Sequence, residues 1–307
     1  MFYLFKTKFI KGLFMKFIRF IANNEEKIGV LDKTELKIIK LFDIEKAEID
    51  PMITIIRNLT KQNLKDIREK IKNKVGEYKL EDVKICSPIK KTIHDVICVG
   101  VNYKEHLLET QNRFDNNFKT PSKIVFFSKR SKEIIGTNDY IISKLQLDNN
   151  LDYEVELAVI IGKEGVNISK EDVNEYIFGY SIFNDISSRK LQKDHIQWFR
   201  GKSLDTYSIM GPVILHGSAV ELPLELNISC EVNGEIRQNS NTRFFISDIP
   251  TIISEISQGM TLEPGDIIIT GTPEGVGVGF DPPKYLQKDD IIKCKIEKIG
   301  ELINKVK

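Results

Sequence analysis

Three acidic residues interrupt an otherwise apolar run, Leu151-Asp152-Tyr153-Glu154-Val155-Glu156-Leu157-Ala158-Val159-Ile160-Ile161. In an extended strand alternate side chains share a face, so Asp152, Glu154 and Glu156 are expected to project together while Tyr153, Val155, Leu157 and Val159 project the other way. Carboxylates crowded in this manner repel and raise one another's pKa unless solvent, a basic partner or a cation compensates. Taken alone, the segment is equally consistent with a solvated edge strand. A second apolar run, Gly179-Tyr180-Ser181-Ile182-Phe183-Asn184-Asp185, ends in another acid that could bring a third carboxylate oxygen to the same point. Oxygen-only ligation by Glu154, Glu156 and Asp185 suits a hard cation: magnesium first, with manganese or calcium able to substitute. Such a centre keeps net negative charge, so an anionic substrate would need a cationic neighbour. Arg189 and Lys202 are candidates, although each by itself reads as an ordinary surface charge.

A second constellation is Asn102-Tyr103-Lys104-Glu105-His106-Leu107-Leu108-Glu109. Residues three apart share a helix face, which puts His106 within reach of Glu109. A carboxylate on one imidazole nitrogen fixes the tautomer and lets the other nitrogen take a proton from water; a plain surface pair has the same spacing. His94, His195 and His216 have no such local partner and read as structural. The third feature is the glycine-rich Thr270-Gly271-Thr272-Pro273-Glu274-Gly275-Val276-Gly277-Val278-Gly279. It matches neither dinucleotide nor P-loop spacing. Its glycines would let backbone approach a ligand, with the Thr272 hydroxyl offered to an oxyanion, or it is simply a turn between strands.

The elements that must position these residues read as α+β. Strands are expected over residues 95–101, 123–127, 151–161, 177–184, 211–215, 224–232, 265–270 and 291–299. Helices are expected over 103–110, from Ser169, and over 247–259 with a Ser247-Asp248 cap and a terminal Gly259. Asn233-Gly234 is a two-residue hairpin signal. No regular strand–helix alternation is present, which disfavours a Rossmann or barrel design. Residues 17–41 read as short strands and 53–75 as amphipathic helix. Together they form a small N-terminal α/β domain, residues 1–88, of which 1–14 have the character of an upstream extension before a second methionine, Met15. The catalytic domain then covers residues 89–307.

Composition narrows the function classes. The 307 residues carry 41% hydrophobic and 29% charged side chains, as in ordinary globular chains. A net charge of +1 gives no electrostatic reason to expect nucleic acid. Lysines break the apolar start, so neither a secretory signal nor a membrane span is expected. Cys86, Cys98, Cys230 and Cys294 are scattered without zinc-ligand spacing and read as small buried hydrophobes in a reduced, cytoplasmic setting.

In chain order, Val99-Gly100-Val101-Asn102-Tyr103 with His106, the acidic run at 152–159, Gly179-Tyr180 through Asp185, Gly201-Lys202-Ser203-Leu204-Asp205-Thr206, Val232-Asn233-Gly234, and Pro264-Gly265-Asp266 through Val276-Gly277 resemble the fumarylacetoacetate hydrolase family. The resemblance covers about residues 89–307. It implies a mixed β-roll, usually a homodimer, with Glu154, Glu156 and Asp185 as metal ligands and His106 with Glu109 as the water-activating dyad. It further implies that Lys202 stabilises developing negative charge and that Arg189, Gln192 and Thr272 hold the carboxylate and oxo groups of a small 2-oxo or 2,4-dioxo acid. The chain departs from the family at Lys129-Arg130-Ser131, where relatives usually have lysine followed by proline. The implied reaction is metal-assisted hydrolysis of a C–C bond in an acylpyruvate. Isomerisation of a hydroxymuconate-type dienoate and decarboxylation of oxaloacetate are alternatives that share its enolate, and a non-catalytic 2-oxo-acid sensor is the alternative of another class.

Overall fold

A computed structural model describes residues 14–43, 48–113, 120–144 and 146–307. The presumed extension lies almost wholly outside them. The α+β class expected from the sequence is the one adopted. An 11-stranded, mostly antiparallel sheet runs, in spatial order, through Lys16–Ala22, Ser208–His216, Ile177–Asp185, Val155–Ile161, Ile267–Ile269 and Val96–Gly100 to an edge at Val125–Lys129. Lys37–Asp43 and Glu25–Leu31 extend it beyond Lys16–Ala22. A five-stranded sheet contains Glu235–Asn241, Asn227–Val232, Ile291–Ile296, Gly300–Val306 and Tyr140–Ile141. The Asn233-Gly234 turn has φ of 52° at Asn233 and 82° at Gly234, the positive pair a tight hairpin needs.

The Val155–Ile161 strand explains how the two sheets stack. Val155, Leu157, Val159 and Ile161 belong to one apolar cluster, together with Ile228, Cys230, Ile292 and Leu302 of the smaller sheet. Ala158 and Ile160 face the opposite cluster, with Met52, Ile53 and Ile67 from the helices Pro51–Asn58 and Lys61–Asn73. The strand is therefore central and buried on both faces rather than a solvated edge. Residues before 88 share this sheet and core, since Phe17 pairs with Ile214 across the Lys16–Ala22 and Ser208–His216 ladder. All four cysteines are free and buried, as their apolar neighbours suggested.

Two helical expectations change. The stretch 53–75 is two helices, because Thr60 and Asn63 form a reciprocal capping box that starts a new helix at Lys61. No α-helix opens at Ser169: its hydroxyl donates to Asp172 Oδ2 at 2.7 Å, and only a short 3-10 turn, Val173–Glu175, follows. The helix Ile249–Ile256 is capped by Asp248, whose side chain accepts from Thr251 N at 2.9 Å.

Candidate active site

Antiparallel register brings the acids together. Val155 pairs with Asn184, and one step on Asp185 N donates to Glu154 O at 2.9 Å. Glu154, Glu156 and Asp185 are all buried, and each offers an oxygen within 4.8 Å of the others. Asp152 does not join them. The strand breaks at Tyr153 and Glu154, so the alternation that predicted a common face loses phase. Asp152 instead accepts from Arg189 Nε at 2.8 Å and from the backbone amides of Gly277 and Val278 at 2.6 and 3.0 Å.

Cations surround the cluster. Lys202 Nζ lies 2.6 Å from both Glu154 Oε2 and Asp185 Oδ2. Arg189 Nη1 is 2.7 Å from Glu154 Oε1, and Lys129 Nζ is 2.6 Å from Asp185 Oδ1. Four carboxylates thus face three cations. Burial works against ionisation of Glu154, but Lys202 and Arg189 overcome it and hold its pKa down at about 2. Burial, then Asp185 and Glu154, push Glu156 well above the usual carboxylate range. Lys202 feels the same burial, yet Asp185 and Glu154 raise it above an ordinary lysine. Buried, oxygen-only donors with residual negative charge fit a hard divalent cation. Asp185 Oδ1 meets the Lys129 ammonium at close range but outside ideal hydrogen-bond geometry, and both of its carboxylate oxygens therefore face cations within the buried cluster.

The predicted dyad forms on the helix Lys104–Arg113: His106 Nδ1 is 2.8 Å from Glu109 Oε2. With Nδ1 as donor to the carboxylate, Nε2 takes the acceptor role. The helix start is fixed by Asn102, whose amide donates to Ser247 O and Thr270 O at 3.0 and 2.9 Å and accepts from Ser247 N at 2.8 Å.

The glycine-rich segment serves the site differently from its sequence expectation. Its amides hold the protein's own carboxylates: Gly271 N donates to Glu156 Oε2 at 2.6 Å, and Gly275 N, at φ 95°, donates to Glu109 Oε1 at 3.0 Å. Thr272 lines the cavity, but its hydroxyl donates to Val155 O at 2.9 Å and accepts from Gln238 Nε2 at 2.8 Å. A Cβ on Gly279 would fall 1.9 Å from Glu109 Oε1. Its φ is not among the positive ones, so alanine fits the backbone but not the carboxylate. Gly279→Ala should displace Glu109 from His106 and lower turnover by up to about 100-fold, with the thermal melt of the variant close to that of the parent; kinetics and circular dichroism check both parts.

A cavity of about 760 Å³ opens over these groups. His106, Glu154, Glu156, Lys202, Arg189 and Gln192 all line it, and Arg189 Nη1 donates to Gln192 Oε1 at 2.9 Å. Its volume suits a small organic acid. Trp198 and Phe127, edge to face at 5.1 Å, form one wall. Among the residues that sequence reasoning missed are Lys129, noticed only as the lysine before Arg130 where relatives usually have proline, and Gln238. His94, expected to be structural and without a local partner, does not line the cavity; its Nδ1 lies 2.8 Å from Asp266 Oδ1, a residue too distant in sequence for local spacing to find.

A mixed-sheet roll that buries an oxygen-donor cluster beside a histidine–glutamate pair defines a class of metal-site enzymes. The chain belongs to the fumarylacetoacetate hydrolase family: the family model described as "Fumarylacetoacetate (FAA) hydrolase C-terminal" matches residues 95–307. It is 42% identical over 291 residues to the oxaloacetate tautomerase YisK of Bacillus subtilis, covering 92% of this chain and 94% of that one. The fumarylacetoacetate hydrolase of Exiguobacterium antarcticum superposes with a TM-score of 0.76 at 36% identity, over 95% of this chain and 99% of that one. A maleylpyruvate hydrolase of Sphingobium, solved with manganese(II) and pyruvate, gives 0.73 at 28% identity, over 95% of this chain and 98% of that one. Family members include hydrolases, isomerases and tautomerases.

Proposed function

We propose that this protein interconverts the keto and enol forms of a 2-oxo dicarboxylate, with oxaloacetate as the substrate. The observation that carries this reading is that Glu154 and Glu156 of the acidic cluster and His106, backed by Glu109, line one cavity. The similarity to an oxaloacetate tautomerase along nearly the whole chain supports this substrate over the acylpyruvate favoured by the sequence alone. A divalent ion held by Glu154, Glu156 and Asp185 would supply Lewis acidity toward the 2-oxo group. The chain's own groups do the rest. Arg189 and Gln192 orient the carboxylates of the acid. His106, its tautomer set by Glu109, takes the proton from the carbon next to the carbonyl, and that proton returns on oxygen, so the isomerisation balances without a co-reactant. Lys202 places positive charge beside the oxygen that gains electron density.

A second reading, hydrolysis of an acylpyruvate, is favoured by the same dyad, which can equally deprotonate water, and by the likeness to a maleylpyruvate hydrolase. One assay separates them. The purified protein with magnesium or manganese should speed the loss of enol absorbance from fresh oxaloacetate, and excess chelator should return the rate to background. Pyruvate release from acylpyruvates without any effect on oxaloacetate would install the second reading. Full activity in chelator would remove both.

A further inference from the structure

Lys129 ends the strand Val125–Lys129 and is 0% exposed. Its ammonium lies 2.6 Å from Asp185 Oδ1 and donates to Ile186 O at 3.0 Å. Burial lowers its pKa, an effect that Asp185 opposes, so the pair is a buried one that must be kept in register to survive. Asp185 is consequently gripped from two sides, since Lys202 holds Oδ2. The two lysines are not equivalent. Lys202 lines the cavity, where incoming anions draw on it, whereas Lys129 does not line it. The backbone after Lys129 is itself anchored, because Arg130 N donates to Ser203 Oγ at 3.0 Å, one residue past Lys202.

We infer that Lys129 is a positioning residue that holds Asp185 in ligand orientation when Lys202 is drawn toward substrate. This rests on the reading that Glu154, Glu156 and Asp185 hold a divalent ion. With Lys129 gone, Asp185 has Lys202 as its remaining ammonium partner in this cluster, closes on it, and yields less readily to a metal. The direction matters, because loss of a positive charge near a cation site would by Coulomb's law alone tighten metal binding.

Manganese titration of the full-length protein, followed by electron paramagnetic resonance, decides between these effects. Wild type should bind one ion; failure to bind would overturn the metal reading itself, and this inference with it. Lys129→Met should weaken manganese binding about 10- to 100-fold, the usual cost of losing a partner that orients a ligand, and Lys129→Arg should recover part of it. Unchanged or tighter binding in Lys129→Met would overturn the inference. Should that variant fail to fold, Ser203→Ala, which frees the Arg130 amide, should weaken manganese binding several-fold, and unchanged affinity there would overturn it equally.

Discussion

Asp185→Asn should destabilise the fold by about 3–5 kcal/mol, the range for breaking a buried ion pair from one side, and abolish metal binding. The substitution preserves shape but removes the charge that Lys129 and Lys202 share. Lys202 keeps Glu154 as a counterion at 2.6 Å. Lys129 keeps the Ile186 carbonyl, which cannot balance a full charge at a fully buried position. The cost therefore falls mainly on Lys129, and a double variant with Lys129→Met should recover part of the lost stability while metal binding stays absent. Urea denaturation of the single and double variants measures the coupling. A loss below about 1 kcal/mol, the scale of exposed pairs, would mean that the cluster is far wetter than its burial indicates.

His106→Ala should slow the proposed enolisation about 100- to 10,000-fold, the contribution of a positioned general base, and leave manganese affinity near that of the parent, since the candidate ligands are three other side chains. Decarboxylation of oxaloacetate, which asks for acceptance of charge but no proton abstraction from carbon, should persist in the same variant. Stopped-flow decay of the enol and coupled detection of pyruvate give the two rates on one sample. Equal losses in both would relocate His106 from proton transfer to general site architecture.

How much of this was legible beforehand depends on how far apart the partners lie along the chain. Acids set in apolar strands announce themselves, and Glu154, Glu156 and Asp185 converge as their positions suggested. His106 and Glu109 were found because helical spacing makes a pair three residues apart adjacent. Asp152 was misplaced because periodicity assumes an unbroken strand, and the break at Tyr153 is set by tertiary contacts such as its hydroxyl's bond to Gly275 O at 2.9 Å. The partners of Lys129 and His94 escaped for another reason: Asp185 ends one strand and Asp266 directly precedes another, and only sheet order brings them close. The glycine-rich stretch was seen as special, but its composition does not reveal whether freed amides turn toward a ligand or toward the protein's own acids.

Those amides make residues 271–279 a common tether. A single ribbon of backbone fastens Glu156 of the acidic cluster, Glu109 behind the imidazole, and Asp152 under Arg189. Slackening it anywhere would loosen the acidic cluster, the His106–Glu109 pair and the Arg189 ion pair at once, so this segment has little latitude for retuning. Under the proposed function, adaptation to acids of another length or branching is left to lining residues outside this ribbon and its partners, among them Trp198, Lys190 and Lys193.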